Sequence, residues 1–452
     1  MLVLAVSMAR GAEPRPNVVF VLVDDMGYAD VGCYGAKDIR TPNVDRLARE
    51  GTRMTDFYSN GPVCSPTRCG FVTGRWQQRA GLEWALGVTS QCFVRDGQGQ
   101  TLRPDPNFKQ FGLPARAGAP TLGRMLADSG YATACIGKWH LGWTPECSPN
   151  AHGFATAFGI YGGNADLYSH KGRDGSDDLY ENGKPVHEEG YLTELLTRRA
   201  ERFIGENRDR PFFLYVPYNA VHWPFQPPGR PDLVRSYATW YEGDRRVYAQ
   251  MVEAIDAGVG AIRGALERAG LLDNTLFIFS NDNGGEVRLT SNRPLFHHKA
   301  TVWEGGIRVP CVLRWPGHIP AGVDSRQVGI TMDLTATILA ACGVTPTGAV
   351  PLDGIDLVPI LAGRQSLQVR TLGWRIDRIE RKQKALRHGK WKLVVDGPHD
   401  VVSHELLFDL ESDISERSNV AYEHPEVLAD LRKRLDAWEA DVDALPRPFV
   451  VK

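Results

Sequence analysis

Four apolar, strand-forming runs each end in polar groups. "NVVFVLV" runs into Asp24 and Asp25, and "YATACIG" into Lys138 and His140. "PFFLYVPY" is followed by His222, and "TLFIFS" leads to Asp282 and Asn283. Carboxylates and a side-chain amide are hard oxygen donors, which suit Ca2+, with Mg2+ the alternative, better than zinc. Three carboxylates crowded together without a cation repel one another, so a bound metal is the physical expectation. Lys138, His140 and His222, with Lys299 further along, are the groups to hold an anion and move protons. Singly, an aspartate at a strand end is most often a turn or helix cap. The combination is what points to chemistry.

A second cluster is "GPVCSPTRCGFVTGR", Gly61 to Arg75, with Cys64 and Cys69 separated by four residues. The C-x4-C spacing fits neither a C-x-x-C redox pair nor half of a zinc site. Pro66 favours the first turn of a helix that Gly74 stops. Cys64 then lies at a helix N-terminus, where free backbone N–H groups favour negative charge, and Arg68 adds a cation one turn on. A thiolate nucleophile and an ordinary buried cysteine are both open readings of that position.

The elements that must position these groups follow from periodicity. Residues 17–23 read as a buried strand, and 41–51 as a helix with Thr41 as N-cap, Pro42 first and Gly51 as terminator. Residues 120–130, 191–207 and 248–270 read as helices, each followed by a strand at 131–137, 211–218 and 275–280. Alternating strands and helices predict an α/β fold, a large, mostly parallel or mixed sheet sandwiched by helices. Residues just past the carboxyl ends of such strands converge on one crevice. Residues 86–118, rich in Gly, Pro and Arg, read as an irregular insertion bordering a site.

After about residue 365 the pattern becomes two short half-exposed strands around "DGPHDVVS" and a closing amphipathic helix. This predicts a catalytic domain over 14–365 and a small antiparallel α+β subdomain over 366–452. The basic run 374–392 offers Trp374 and Arg375 as pocket-lining candidates, against the alternative of a solvated charged face. "NRPLFHHK" offers Arg293, His297 and His298 beside Lys299.

Apolar content of 42 % and charged content of 23 % are ordinary for a soluble globular chain of 452 residues. A net charge of −2 gives no reason to expect nucleic acid or an anionic membrane as partner. No stretch approaches the roughly 20 apolar residues of a membrane span. Residues 1–13 read as a truncated export signal, with Ala9 and Gly11 placed for cleavage, implying a periplasmic or secreted protein. The eight cysteines show no framework spacing and do not fix the compartment.

The blocks together resemble the type I sulfatases of the alkaline phosphatase-like superfamily. Cys64-Ser65-Pro66-Thr67-Arg68 matches the C-x-P-x-R signature, continued by Thr73-Gly74-Arg75. "DDMGYADVGCYG", "TPNVDRLAREG", "GKWHLG", "HWPF", "SNDNGG" and "KATVWEGGIRVP" follow in the family's order. Cys69-Gly70 departs from the two small residues many members carry there. The resemblance implies that a maturation enzyme converts Cys64 to formylglycine, whose hydrate is the nucleophile. It also implies that Asp24, Asp25, Asp282 and Asn283 hold a Ca2+ ion that contacts residue 64. Lys138 and Lys299 are then expected to neutralise the sulfate and Arg68 to orient the hydrate. His222 would protonate the leaving oxygen, and His140 would accept the proton of the second hydroxyl. The expected substrate is a carbohydrate sulfate, such as a glycosaminoglycan or other polysaccharide fragment. The alternatives are a phosphoester or phosphonate hydrolase of the same superfamily and a non-catalytic binder of sulfated glycans.

Overall fold

The computed structural model describes residues 14–87, 93–95, 101–104, 112–116, 118–233, 237–348, 350–378, 381–397 and 404–444, with backbone alone for 93–95, 101–104 and 237. The expected export segment, most of the 86–118 insertion and residues 398–403 of the polar turn lie outside them.

The strands of the main sheet are β1 (Asn17–Val23), β2 (Thr52–Met54), β3 (Ala132–Ile136), β4 (Thr156–Ile160), β5 (Leu179–Glu181), β6 (Lys184–Pro185), β7 (Phe212–Pro217), β8 (Thr275–Asn281), β9 (Cys311–Arg314) and β10 (Val323–Ser325). They form one ten-stranded sheet in the order β10-β2-β9-β8-β1-β7-β3-β4-β5-β6. The five central strands β8, β1, β7, β3 and β4 run parallel. Antiparallel strands β9 and β5 flank them, so the sheet is mixed at its edges.

The helices flanking the sheet are α1 (Pro42–Arg49), α2 (Cys64–Thr73), α3 (Leu122–Asp128), α4 (Leu192–Glu206), α5 (Arg245–Arg268) and α6 (Thr331–Ala341). Alternation along β1 divides the core in two. Val19, Val21 and Val23 face α1, α4 and α5, while Val18, Phe20 and Leu22 face α2, α3 and α6. Both faces are covered, which is why β1 is a continuous apolar run rather than an alternating one. Every residue of α2 is buried, so that helix lacks the amphipathic stripe of its surface counterparts. Thr41 does precede α1, but its hydroxyl accepts Gly32 N at 2.7 Å and donates to Asp45 Oδ1 at 3.2 Å instead of capping the helix.

Residues 371–442 form a second layer: an antiparallel sheet of β11 (Thr371–Arg378), β12 (Arg381–His388), β13 (Trp391–Asp396) and β14 (His404–Asp409), packed by α7 (Pro425–Val442). The sheet has four strands where two were expected. "KALRHGKWKLVV" is a hairpin, not one strand, because Gly389 adopts φ +59° and turns the chain between His388 and Trp391. The basic run 374–392 therefore spans three strands. Leu372, Trp374 and Ile376 point inward from β11, and Arg375 points to the other face. Among the described residues no helix is long and apolar enough to cross a membrane.

Candidate active site

The carboxyl ends of β1, β8, β3 and β7 converge with the N-terminus of α2. Asp24 and Asp25 leave β1, and Asp282 and Asn283 leave β8, all four buried. Lys138 and His140 follow β3, after Gly137, whose φ is +146° and where a Cβ would meet Pro217 O at 2.0 Å. Only glycine lets the chain pass β7 there and turn Lys138 inward. His222 arrives from the segment after β7 and Lys299 from the loop after β8.

Ligand atoms of Asp24, Asp25, Cys64 and Asp282 all lie within 4.8 Å of one another. Lys138 Nζ meets Asp24 Oδ2 at 2.6 Å, Lys299 Nζ meets Asp25 Oδ2 at 2.6 Å, and Arg68 meets Asp282 Oδ2 at 2.8 Å. Arg68 also donates to Lys138 O at 2.7 Å, which ties α2 to the end of β3. Cys64 Sγ donates to Asp24 Oδ1 at 3.3 Å and lies 3.7 Å from Lys299 Nζ. His222 Nε2 lies 3.4 Å from Asp25 Oδ2, and its Nδ1 donates to Trp223 O at 2.8 Å. A carbonyl only accepts, so Nδ1 carries a proton, and Nε2 is the nitrogen that faces the site.

Burial sets the protonation pattern. It pushes the Cys64 thiol up to about 12, helped by the Asp24 charge, which disfavours a thiolate at this helix-terminal position. Burial would raise Asp25 too, but Lys299, His222 and Lys138 outweigh it and hold the carboxyl at about 2. Asp282 is pushed up by burial and by the Asp24 charge. Burial, then the Lys299 charge, depresses His222 to about 3, and burial carries His140 well below its usual range. Burial thus disfavours the charged form of both imidazoles.

The donor set fits a hard divalent cation. Three carboxylates stand against three cationic side chains, and Asn283 Oδ1 is buried with no hydrogen-bond partner. A Ca2+ among those oxygens would satisfy the amide and leave the site net positive, ready for an anion.

The expected rim residues divide. Arg293 and His297 are exposed and His298 half-buried, all on the loop that carries Lys299. Trp374 and Arg375 are not brought to the site. Trp374 is fully buried against Tyr58 and donates to Ser59 O at 2.9 Å. Arg375 is held by Glu83 and Asp443, both at 2.8 Å. Supporting residues that sequence reasoning passed over lie inside the same motif blocks. Asp30 accepts Gly27 N at 2.9 Å and Tyr248 OH at 2.7 Å and pairs with Arg245 at 2.7 Å. Asn281 donates to Met26 O and Asn283 O, joining the ends of β1 and β8. Their presence within "DDMGYAD" and "SNDNGG" is the signal that could have found them.

This fold and site define a hydrolase of the alkaline phosphatase-like superfamily. Residues 16–344 match the sulfatase family, and residues 294–441 match the family described as N-sulphoglucosamine sulphohydrolase, C-terminal. The chain belongs to the sulfatase family. It is 35 % identical to N-acetylgalactosamine-6-sulfatase of Homo sapiens over 375 residues, covering 79 % of this chain and 68 % of that one. Arylsulfatase A of Homo sapiens is 32 % identical, with 98 % and 91 % covered. The crystal structure of Ps i-CgsB superposes with a TM-score of 0.81 at 31 % identity, covering 96 % of this chain and 94 % of that one. That protein has also been solved in complex with k-i-k-neocarrahexaose. A phosphonate monoester hydrolase of Agrobacterium radiobacter shares the fold at a TM-score of 0.65 and 20 % identity, with 95 % and 96 % covered.

Proposed function

We propose that this sulfatase cleaves a sulfate ester of a carbohydrate, using a formylglycine hydrate made from Cys64 and a Ca2+ ion held by Asp24, Asp25, Asp282 and Asn283. The observation that carries the reading is Cys64 itself, at the start of α2, within 4.8 Å of three carboxylates and flanked by a lysine. The hydrate would supply one hydroxyl to attack sulfur and a second to expel sulfate; the ion would supply positive charge against the sulfate oxygens.

The remaining work falls to this chain's side chains. Lys138 and Lys299 flank the pocket and bind the anion, and Arg68 orients the group at position 64 while keeping Asp282 in place. His222 Nε2 is the exchangeable nitrogen, since Nδ1 is committed to Trp223 O. An arriving sulfate brings negative charge beside a ring now depressed by burial and Lys299, which raises its proton affinity. Nε2, protonated from solvent as the sulfate arrives, delivers that proton to the leaving oxygen, and the attacking hydroxyl gives its own proton to Asp282. His140 accepts the proton of the second hydroxyl. A carbohydrate substrate is supported by the relative named for N-acetylgalactosamine-6-sulfate and by the neocarrahexaose complex of the 31 % identical structure.

Mass measurement of the tryptic peptide holding residue 64 tests the reading, because formylglycine is lighter than cysteine. Cys64→Ala should retain the fold and lose sulfate release. Full activity in that variant, or faster turnover of an aryl phosphate than of the matching aryl sulfate, would overturn the proposal.

A further inference from the structure

His140 has one ring nitrogen committed and one idle. Its Nε2 lies 3.1 Å from Leu86 O, and its Nδ1 is buried with no partner. A carbonyl accepts and never donates, so Nε2 carries the hydrogen and Nδ1 keeps the lone pair. The ring is confined: His140 N donates to Tyr161 O at 3.2 Å, and a Cβ on Gly163 would meet His140 Cε1 at 2.7 Å. Asp178 fixes that packing segment by accepting Tyr161 N and Gly162 N, both at 3.1 Å. Gly163 thus packs closely on the Cε1–Nε2 edge of the ring.

What places Leu86 O is a side chain of the signature itself. Ser65, fully buried next to Cys64, accepts Leu86 N through Oγ at 3.1 Å. One residue, Leu86, thus links the residue beside the nucleophile to the imidazole, its N–H bonded to Ser65 and its carbonyl to His140.

We infer that Ser65 is a positioning residue, which through the Leu86 backbone holds His140 in the Nε2–H tautomer and keeps Nδ1 as the lone-pair acceptor. The inference rests on the proposed role of His140. The proton leaving the second hydroxyl passes to Nδ1, and the resulting imidazolium keeps its Nε2–H on Leu86 O, a charge-assisted bond stronger than the neutral one. In the other tautomer Nδ1 has no lone pair to offer and Nε2 faces a carbonyl it cannot accept from. A histidine in the wrong tautomer loses its function as a base even where the geometry is intact.

Neutron diffraction from crystals of the native enzyme reads the tautomer directly: hydrogen on Nε2 is expected, and hydrogen on Nδ1 at neutral pH would overturn the inference. Kinetics supply the second readout. Ser65→Ala, corrected for the fraction of residue 64 converted, should slow steady-state turnover of an aryl sulfate about tenfold, the loss of one buried hydrogen bond. A stoichiometric burst of the aryl alcohol should persist, because the step that needs His140 comes second. Ser65→Thr, which keeps the hydroxyl, should restore the rate, whereas a merely structural defect shows no burst. Unimpaired turnover in Ser65→Ala with Cys64→Ala inactive sinks this inference alone. Activity in Cys64→Ala sinks the hydrate reading on which it rests.

Discussion

Asn283 donates from its amide nitrogen to Asp25 Oδ1 at 2.8 Å, while its own Oδ1 is buried and accepts nothing. The pair joins the ends of β1 and β8, two adjacent parallel strands, and leaves an idle oxygen next to three carboxylates. A buried acceptor without a donor is costly in a folded protein, about 1–3 kcal/mol. A cation coordinated there would relieve that cost together with the carboxylate repulsion.

Ca2+ should therefore raise the melting temperature of EDTA-treated protein. A ligand binding only the folded state adds about 2.7 kcal/mol at one hundred times its Kd. Asn283→Ala should shift the titration to higher Ca2+ concentration without changing the secondary structure seen by circular dichroism. A melting temperature indifferent to Ca2+ and Mg2+ in the unmutated protein contradicts the metal assignment.

Arg375 answers to structure, not substrate. Its guanidinium meets Glu83 at 2.8 Å, Asp443 at 2.8 Å and Glu439 at 3.4 Å, bridging β11, α7 and the residue following α7 to the segment after α2. Arg375→Ala should cost about 1–3 kcal/mol in urea unfolding, the range for charge-assisted hydrogen bonds of partly buried groups. The kcat/KM for any sulfate ester should stay within about twofold. A large loss of kcat/KM with unchanged stability would return Arg375 to the pocket.

That these side chains meet was legible because parallel strands deliver their carboxyl-end residues to one crevice, so Asp24, Lys138, His222 and Asp282 could be grouped from strand placement alone. Trp374 and Arg375 misled because a basic run looks like one face until it is divided into strands. Folded into strands, the run alternates, and Trp374 goes to the core. Leu86 was invisible in principle: its contribution is a carbonyl, which every residue has. The buried ion pairs were hidden for another reason. Glu304 and Lys392 are ordinary charged residues until tertiary structure removes water from both.

Asp178 provides a pH test away from the metal ligands. Burial pushes its carboxyl up to about 7 from an ordinary value of 3.8, only partly offset by hydrogen bonds from Gly162 N and Tyr161 N. Between those two values the folded state keeps a proton that the unfolded chain has lost. Its contribution is thus fully present below about 3.8 and is lost as pH rises through about 7. Asp178→Asn keeps an acceptor for both amides and cannot ionise. The stability of the variant minus that of the unmutated protein, from urea midpoints, should rise between pH 4 and pH 8. Parallel pH curves for the two proteins would show that Asp178 does not titrate in that window.

Lys392 is the charge on which the small sheet depends. It is fully buried on β13, with Nζ 2.8 Å from Glu304 Oε1 and 2.8 Å from Glu416 Oε1. Glu304 Oε2 also takes Tyr58 OH at 2.7 Å and Arg308 at 3.1 Å, and Glu304 N donates to Glu416 Oε2 at 2.7 Å. The cluster locks β13 against the segment that carries Lys299, five residues before Glu304. Lys392→Met has nearly the right shape but leaves two buried carboxylates facing each other, so it should cost about 3–5 kcal/mol. Adding Glu416→Gln to Lys392→Met removes one of those charges and should recover part of the loss, a coupling that a double-mutant cycle in urea reads directly. Additive effects of the two substitutions would mean that Lys392 and Glu416 do not share this network.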